Sequence, residues 1–304
     1  MNILIVKLNA TGDVVRTTAL LRRLRGDVTW ITVPTNLELL DASQGMRCLA
    51  WEERERARDR RYDLLISLED EAETAAFVST VNTAQIFGAY LNGAGAVGYT
   101  EDAHGWFDLS LISVHGRQRA DQLKLQNRRT YQELIFTGLG WRFEGERYVL
   151  PEPAKTPLVG DVAIAPVAGP VWPMKGWAFY DQLKQYLEAA GLVVNVLPRR
   201  PTLLEHMGDV SNHRCLVGGD SLPMHLALGT DTQCVTIFNC TSPWEIHDYG
   251  LQTKIVSPLL DQVFYQRGHN SAVTRSIPLE QVFDAVMKRL AYTGASPSLA
   301  DGSR

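Results

Sequence analysis

The chain has 304 residues, of which 45% are hydrophobic and 21% are charged, with 30 lysines and arginines against 34 aspartates and glutamates. This length suits one large α/β domain or two domains of about 150 residues, each with its own core, and the ordinary apolar fraction excludes a disordered chain. The formal net charge of -4 argues against a nucleic-acid-binding protein, although an acidic average is compatible with a local basic pocket for one phosphorylated ligand.

The sequence also argues against a membrane-spanning or secreted protein. No stretch approaches the roughly 18 consecutive apolar residues of a transmembrane helix, and the first residues lack the basic region that opens a signal peptide. The cysteines form no C-x-x-C pair and indicate reduced thiols rather than a disulfide framework; they are Cys48, Cys215, Cys234 and Cys240. We therefore expect a cytoplasmic α/β protein.

Short aliphatic runs alternate with helical patterns through the first half of the chain. Strands are predicted over 2–8, 28–33 and 63–67, and helices over 14–25, near 37–42 and over 71–81. This alternation is typical of a Rossmann-like half with a parallel sheet. Asn92-Gly93 lies between two further strand candidates, 85–91 and 94–99, and predicts a hairpin with a type I′ turn. A long helix is predicted over 121–136.

A proline-rich segment with Pro151, Pro153 and Pro157 interrupts this pattern and is the best candidate for a linker between domains. The alternation then restarts, with strands predicted over 162–166, 193–197, 214–217 and 234–238, and helices over 176–190, 223–229 and 279–290. The predicted fold class is therefore α/β, with Rossmann-like domains over 1–154 and 155–304. The last helix, about 279–290, is a candidate for packing back on the N-terminal domain.

The loop at 9–12 joins the first predicted strand to its helix. Ligands of parallel sheets bind at the carboxyl ends of strands, where helix N-termini offer free N–H groups to anions, and Gly12 permits close backbone approach. The loop matches neither a P-loop nor a full G-x-G-x-x-G pattern. Asp13 is then either the N-cap of helix 14–25 or a base that removes a proton from an acceptor hydroxyl.

A second loop-to-helix motif, GGDSLPMHLALG, occupies residues 218–229. Pro223 suits a first helical turn, and the backbone amides of Ser221 to Met224 are placed to bind a pyrophosphate, with the Ser221 hydroxyl beside them. Asp220 precedes them. His225 is either part of this site or a buried, hydrogen-bonded side chain of a capped core helix.

Lys175 stands in the loop 167–177, just before a helix predicted to begin near Gly176. A cation at this place complements phosphate oxygens. The alternative is a solvated lysine in a proline-rich loop.

The segment NCTSPWEIHDYG, residues 239–250, follows another predicted strand. Thr241 and Ser242 offer hydroxyls, and Glu245 can accept hydrogen bonds from ribose or sugar hydroxyls. His247 and Asp248 are nearby, but no further ligand completes a metal site. The sequence therefore predicts no metal.

At these residues the chain resembles the heptosyltransferase-type glycosyltransferases of family 9, whose GT-B architecture has two Rossmann-like domains facing each other across a cleft. The family's opening K-x-x-x-x-G-D-V-x-x-T-x-x-L is matched by Lys7, Gly12, Asp13, Val14, Thr17 and Leu20. Its second signature, D-[ST]-G-x-x-H-x-A, is matched by Asp220, Ser221, His225 and Ala227, with Leu222 in place of glycine. Its K-x-W and T-[SD]-P-x-E…Y-G segments are matched by Lys175, Trp177, Thr241, Ser242, Pro243, Glu245, Tyr249 and Gly250.

The middle of the chain, with AHGWFDLSL and NRRTYQELIF, is similar to a subgroup that includes bacterial autotransporter heptosyltransferases. Many of those relatives carry a cysteine cluster after the Y-G segment. This chain has SPLLDQVFYQRG there, without cysteine, so the metal site of that subgroup is not transferred to it.

The resemblance implies transfer of a heptose from ADP-heptose to an acceptor hydroxyl, with inversion and without a metal or other cofactor. Asp13 would be the general base. The implied donor-binding residues are Thr11, Gly12, Lys175, Asp220, Ser221, Leu222, Pro223, Met224, His225, Thr241 and Glu245. The acceptor would be a small natural product, a protein or a saccharide. The alternatives are a GT-B transferase using another nucleotide sugar and a non-catalytic nucleotide-sugar-binding homologue.

Two local features complicate this implied site. A helix N-terminus lowers the pKa of a carboxylate, which makes Asp13 a weak base. Leu222 keeps its backbone N–H, but it would be strained in a conformation that only glycine adopts readily. We therefore expect an altered loop geometry without loss of phosphate binding.

Overall fold

The computed structural model describes residues 1–40, 45–110, 115–167, 169 and 171–291. The tail of the predicted second domain, 292–304, and the end of the helix predicted near 37–42 lie outside these residues. Within them, a six-stranded and a five-stranded sheet follow one another along the chain. The predicted α/β class is confirmed.

The first sheet has the strand order β3-β2-β1-β4-β5-β6. All neighbours pair in parallel except β5 and β6. The strands are β1 (Asn2–Val6), β2 (Asp27–Thr32), β3 (Arg47–Ala50), β4 (Leu64–Ser67), β5 (Ile86–Leu91) and β6 (Val97–Tyr99). The central strand β1 is aliphatic because both faces of a parallel sheet are covered.

Helices α1 (Thr11–Thr17), α2 (Ala72–Val78), α3 (His104–Phe107), α4 (Arg117–Gln126) and α5 (Tyr131–Gly138) accompany this sheet. Shorter 3-10 helices span Thr18–Arg22, Pro34–Leu39, Trp51–Asp59 and Glu101–Ala103. The helix predicted over 14–25 is therefore wrong in its bounds, because α1 begins earlier and tightens into the 3-10 helix after Thr17.

Two further predictions for this half are wrong in detail. The long helix predicted over 121–136 is divided between α4 and α5, because Thr130 and Glu133 form a reciprocal capping box that starts α5. The predicted hairpin is present, but residues 92–96 connect its strands, and Asn92 Oδ1 accepts hydrogen bonds from the amides of Ala94 and Ala96. This longer loop replaces the two-residue type I′ turn.

The second sheet has the order β11-β10-β9-β7-β8, with all neighbours parallel. Its strands are β7 (Gly160–Ala165), β8 (Val194–Val196), β9 (His213–Gly219), β10 (Gln233–Phe238) and β11 (Gln252–Val256). The helices are α6 (Tyr180–Ala189), α7 (Leu203–Ser211), α8 (Leu222–Gly229), α9 (Leu260–Val263), α10 (Ser271–Thr274) and α11 (Leu279–Ala291), with a 3-10 turn at Pro173–Lys175.

Helix α11 packs on the second sheet. Its apolar residues Val282, Val286 and Leu290 share a buried cluster with Val235 and Ile237 of β10. This corrects the expectation that the last helix packs back on the N-terminal half. The apolar period of the helix predicts that one face is buried, but it does not specify which sheet covers that face.

The two halves are in direct contact. Helix α1 packs against α8, and one hydrophobic cluster contains residues of both halves, including Val14, Tyr148, Met224 and Leu228. Residues 141–159 form neither helix nor strand as they cross between the sheets, so the proposed boundary at 154/155 lies in an extended segment. No helix in the described ranges is long and apolar enough to cross a membrane.

Candidate functional site

A cavity of about 540 Å³ lies between the two halves, at the carboxyl ends of β1, β9 and β10. Parallel sheets present their ligand-binding loops at this edge, which is why loops distant in sequence meet here. Ten of the residues predicted from sequence line the cavity: Thr11, Gly12, Asp13, Lys175, Asp220, Ser221, Leu222, His225, Thr241 and Glu245.

The loop after β1 turns sharply into α1. Ala10 is the N-cap and has a left-handed backbone with φ of 56°, a conformation that stores strain in a non-glycine residue. Asp13 is therefore a first-turn residue of α1, and its interpretation as the N-cap of the helix is wrong. Glu69 Oε1 anchors the loop by accepting hydrogen bonds from Lys7 Nζ at 2.6 Å and from the amide of Leu8 at 2.7 Å.

The carboxylate of Asp13 is paired with the guanidinium of Arg16, with Oδ1 and Nη2 3.0 Å apart. Burial on its own raises the pKa of Asp13, but the charges of Arg16, Lys7 and Lys124 together outweigh it and hold the pKa below its usual value. The lowered pKa matches the expectation from sequence. The largest contribution that lowers the pKa of Asp13 comes from the ion pair with Arg16 in the same helix. The sequence predicted a lower pKa from the helix terminus alone.

Gly12 is in close contact with His225 of the opposite half. A Cβ atom at position 12 would lie 2.6 Å from His225 Cδ2, so this approach of α1 to α8 requires glycine. His225 is buried. Burial and the nearby Arg16 lower the pKa of His225 to about 4, so its imidazole is neutral at neutral pH, and Nδ1 has no hydrogen-bond partner in the structure described.

We expect Gly12→Ala to destabilise the protein by about 1–3 kcal/mol, because the added methyl group overpacks the contact with His225. Chemical denaturation measures the free energy of unfolding of Gly12→Ala, His225→Ala and the double variant. Together these values give the interaction energy between positions 12 and 225. Gly105→Ala is the matched control, since a Cβ there meets no atom within 4 Å. Equal destabilisation by Gly12→Ala with and without His225 would contradict a steric contact.

The start of α8 presents fewer backbone donors than the sequence predicts. Ser221 is the N-cap, Pro223 has no N–H, and the amide of Met224 donates to the carbonyl of Ser221. Met224 is a core side chain, and Pro223 lines a separate cavity of about 350 Å³. Pro223 and Met224 are therefore absent from the lining of this cavity, and the amides of Ser221 and Leu222 are the remaining donors. Their predicted part in donor binding stays a prediction.

Leu222 causes no backbone strain at this position. It is the first residue of α8 and does not have a positive φ. Its side chain lines the cavity and packs against the hydrophobic cluster shared by the two halves. The structure thus accommodates a leucine at the place where the family pattern has glycine.

Lys175 and Asp220 form a partly buried pair at the second-half wall. Lys175 Nζ donates to the Asp220 carbonyl at 2.7 Å and to its Oδ2 at 3.1 Å. Burial on its own raises the pKa of Asp220, but the Lys175 ammonium helps to lower it to about 2. Lys175 ends a 3-10 turn, and α6 begins only at Tyr180, so the helix predicted over 176–190 is present but its predicted start is too early.

The loop after β10 supplies buried polar atoms that make no hydrogen bond, although one of them, Glu245 Oε1, lies 3.5 Å from Lys124 Nζ. Thr241 Oγ1, Ser242 Oγ and Glu245 Oε1 are buried and accept or donate no hydrogen bond within the described structure. Lys254 Nζ fixes the loop by donating to the carbonyl oxygens of Pro243 and Ile246. Because buried polar groups in native proteins are almost always hydrogen-bonded, this loop is suited to a polar ligand.

Sequence reasoning missed several further residues that line the cavity, among them Arg16, Trp106, Lys124 and Tyr265. Arg16 had a local signal, since it lies three positions after Asp13 and such pairs meet on one helix face. Lys124 had none. It lies in α4 between two leucines, and its burial depends on the packing of α4 beside the cleft.

Comparison with known proteins finds a family similar to the second-half part of this site. The model of glycosyltransferase family 9 (heptosyltransferase) matches residues 172–267, which include Lys175, Asp220 and Glu245. Over this segment, about a third of the chain, the protein is similar to that family. This confirms the resemblance that the sequence motifs indicated, whereas a search of curated protein sequences found no match.

Solved structures are similar in fold over nearly the whole chain. A family 9 glycosyl transferase from Veillonella parvula is 13% identical, with a TM-score of 0.67 over 95% of this chain and 97% of that one. Heptosyltransferase WaaC of E. coli, solved with ADP, is 14% identical, with a TM-score of 0.62 over 95% of this chain and all of the other. The likeness shows the fold, and the predicted GT-B architecture is confirmed.

The dodecameric, iron-containing glycosyltransferase TibC of enterotoxigenic E. coli is also similar in structure. It is 11% identical, with a TM-score of 0.57 over 96% of this chain and 76% of that one. In the part of this chain that the structure describes, no group of three or more His, Cys, Asp or Glu residues is arranged to hold a metal ion.

Proposed function

We propose that this protein transfers a heptose from ADP-heptose to an acceptor hydroxyl, with inversion at the anomeric carbon. The observation that carries the proposal is the single cavity in which Asp13 of the first half and the Lys175–Asp220 pair of the second half face the same space. A base and a diphosphate-binding group on opposite walls suit an in-line displacement. The structurally similar heptosyltransferase WaaC, solved with ADP, supports the choice of nucleotide.

The second-half wall would bind the leaving diphosphate. The Lys175 ammonium supplies positive charge, and the amides of Ser221 and Leu222 supply N–H donors at the start of α8. These groups stabilise negative charge as it develops on the departing ADP. Thr11 and Gly12 approach the same region from the first half. In this proposal the lysine and the amides take the place of a divalent metal.

The polar loop after β10 would hold the donor sugar or ribose. Thr241 and Ser242 carry buried hydroxyls without partners, and Glu245 presents a buried carboxylate oxygen without a hydrogen bond. Sugar hydroxyls both donate and accept, so they can satisfy all three groups. Asp220 and His225 would fix the position of Lys175 and of α1, respectively.

Asp13 would act as the general base. The acceptor oxygen forms its bond to the anomeric carbon while the bond to ADP breaks, and the acceptor proton passes to the Asp13 carboxylate. The lowered pKa of Asp13 makes it a weak base. Transfer of the proton therefore occurs late, and the rate depends on how well the cleft orients the acceptor hydroxyl.

A screen of nucleotide sugars by thermal unfolding and mass spectrometry tests the donor. ADP-heptose at a hundred times its Kd should stabilise the protein by about 2.7 kcal/mol, and this stabilisation should persist in EDTA. Stabilisation by a uridine or guanosine sugar instead would identify a different nucleotide sugar. A protein that none of these compounds stabilises would contradict the proposal.

A further inference from the structure

Two buried cations of the cleft have no assigned role in donor binding. Arg16 and Lys124 are 6% and 5% exposed, and both line the cavity from the first half. Both approach the same aromatic ring: the guanidinium of Arg16 is 5.6 Å, and the ammonium of Lys124 5.7 Å, from the ring centre of Trp106. Trp106 therefore brings two positive charges from different helices together.

Neither cation has its hydrogen-bonding capacity filled. Lys124 Nζ is 3.5 Å from Glu245 Oε1, which is too long for a good hydrogen bond, and it contacts the ring of Tyr265 at 4.4 Å. Arg16 pairs with Asp13 through Nη2, while its Nε is buried without a partner in the structure described. Each cation therefore has one carboxylate nearby, Asp13 for Arg16 and Glu245 for Lys124, and still has N–H donors for a further anionic group. Unfilled donors on buried charged groups are unfavourable.

The helix that carries Lys124 is also basic on its exposed side. Residues 117–129 hold five basic side chains against one acidic one, in a chain whose net charge is -4. Arg117, Arg119, Arg128 and Arg129 are exposed, and Arg128 lies 3.7 Å over the ring of Trp244, next to Glu245. A concentration of one sign of charge beside a cleft attracts ligands of the opposite sign.

We propose that the acceptor carries an acidic group, a phosphate or a carboxylate, and that Lys124 and Arg16 bind it. The inference rests on the proposed function, because it takes the first-half wall beside Asp13 as the acceptor side. The diphosphate would be bound on the opposite wall at Lys175. The acidic group would fill the free donors of Lys124 and Arg16, and the acceptor hydroxyl would then be held near Asp13.

The test uses wild-type protein saturated with ADP, titrated with methyl phosphate and with acetate by ligand-observed NMR. We expect saturable binding of one of them, weakened at least about tenfold in Lys124→Met because charge-assisted hydrogen bonds are lost. Arg119→Met removes a charge from the exposed side of the same helix and should change the affinity by no more than about twofold, since exposed charges are screened. Binding of methyl phosphate alone assigns a phosphate group, and binding of acetate alone assigns a carboxylate.

Other outcomes are decisive against the proposal. Absence of saturable binding of either anion, or equal weakening in Lys124→Met and Arg119→Met, would overturn it. Binding of ADP is measured in a separate titration. If ADP does not bind the wild type, the proposed donor is contradicted, and the proposal for the acceptor is still open to test. The anions are then titrated into nucleotide-free Lys175→Met, in which the site at Lys124 is still intact.

Discussion

Replacing Asp13 with asparagine should lower the rate of heptose transfer by between about 10²- and 10⁴-fold, the usual contribution of a general base. Asparagine keeps the size and polarity of the side chain but cannot take the acceptor proton. Its partner Arg16 stays in place, since it also stacks on the ring of Tyr131 at 4.0 Å. Turnover is measured by release of ADP with saturating donor.

The affinity for ADP separates a catalytic from a structural effect of Asp13→Asn. We expect ADP binding within a few-fold of the wild type, because the proposed diphosphate position lies on the opposite wall. Asp27→Asn, at an exposed position, is the matched control and should leave both measurements unchanged. Turnover of Asp13→Asn close to that of the wild type would remove Asp13 from the mechanism.

Replacing Lys175 with methionine should weaken ADP binding by about 10- to 100-fold, because a hydrogen bond to a charged group contributes about 1.5–3 kcal/mol. The remaining Asp220 carboxylate would also repel the diphosphate. Calorimetry with ADP measures the change. Lys155→Met, which removes an exposed lysine from the segment between the sheets, is the control.

The double variant Lys175→Met/Asp220→Asn distinguishes two causes of that loss. If Lys175 binds phosphate directly, the double variant stays weak. If the loss arises only from the unpaired Asp220 carboxylate, neutralising it restores most of the affinity. Unchanged ADP affinity in Lys175→Met would exclude a phosphate-binding role for this lysine.

Much of the fold could be predicted from sequence because buried parallel strands are continuous aliphatic runs. The predictions around β1, β4, β7 and β10 each overlap the observed strand. Strand β3, with Arg47 and Cys48 in four residues, and β11, with Gln252 and Lys254, lack such a run and were missed. The start of α5 has a local sequence signal, because Thr130 and Glu133 have the spacing of a capping box. The prediction of one long helix did not take this pattern into account.

Some residues of the candidate site could be predicted from sequence motifs, and others could not. Asp13, Lys175 and Asp220 occur in short motifs at the ends of strands, where the topology of a parallel sheet brings them together. The proposed role of Lys124 could not be predicted, because it depends on burial, and burial of a lysine is decided by helix packing across the cleft. The separation of Pro223 and Met224 from the cavity likewise depends on the rotation of α8 about its axis.

Hydrogen exchange of the wild-type protein with and without ADP-heptose tests the central claim most directly, because it locates the ligand on both halves at once. We predict slower amide exchange in peptides that cover residues 9–17, 172–177, 219–226 and 240–247. Slower exchange in the second half alone would contradict the proposed cleft between Asp13 and Lys175, as would unchanged exchange in all four regions.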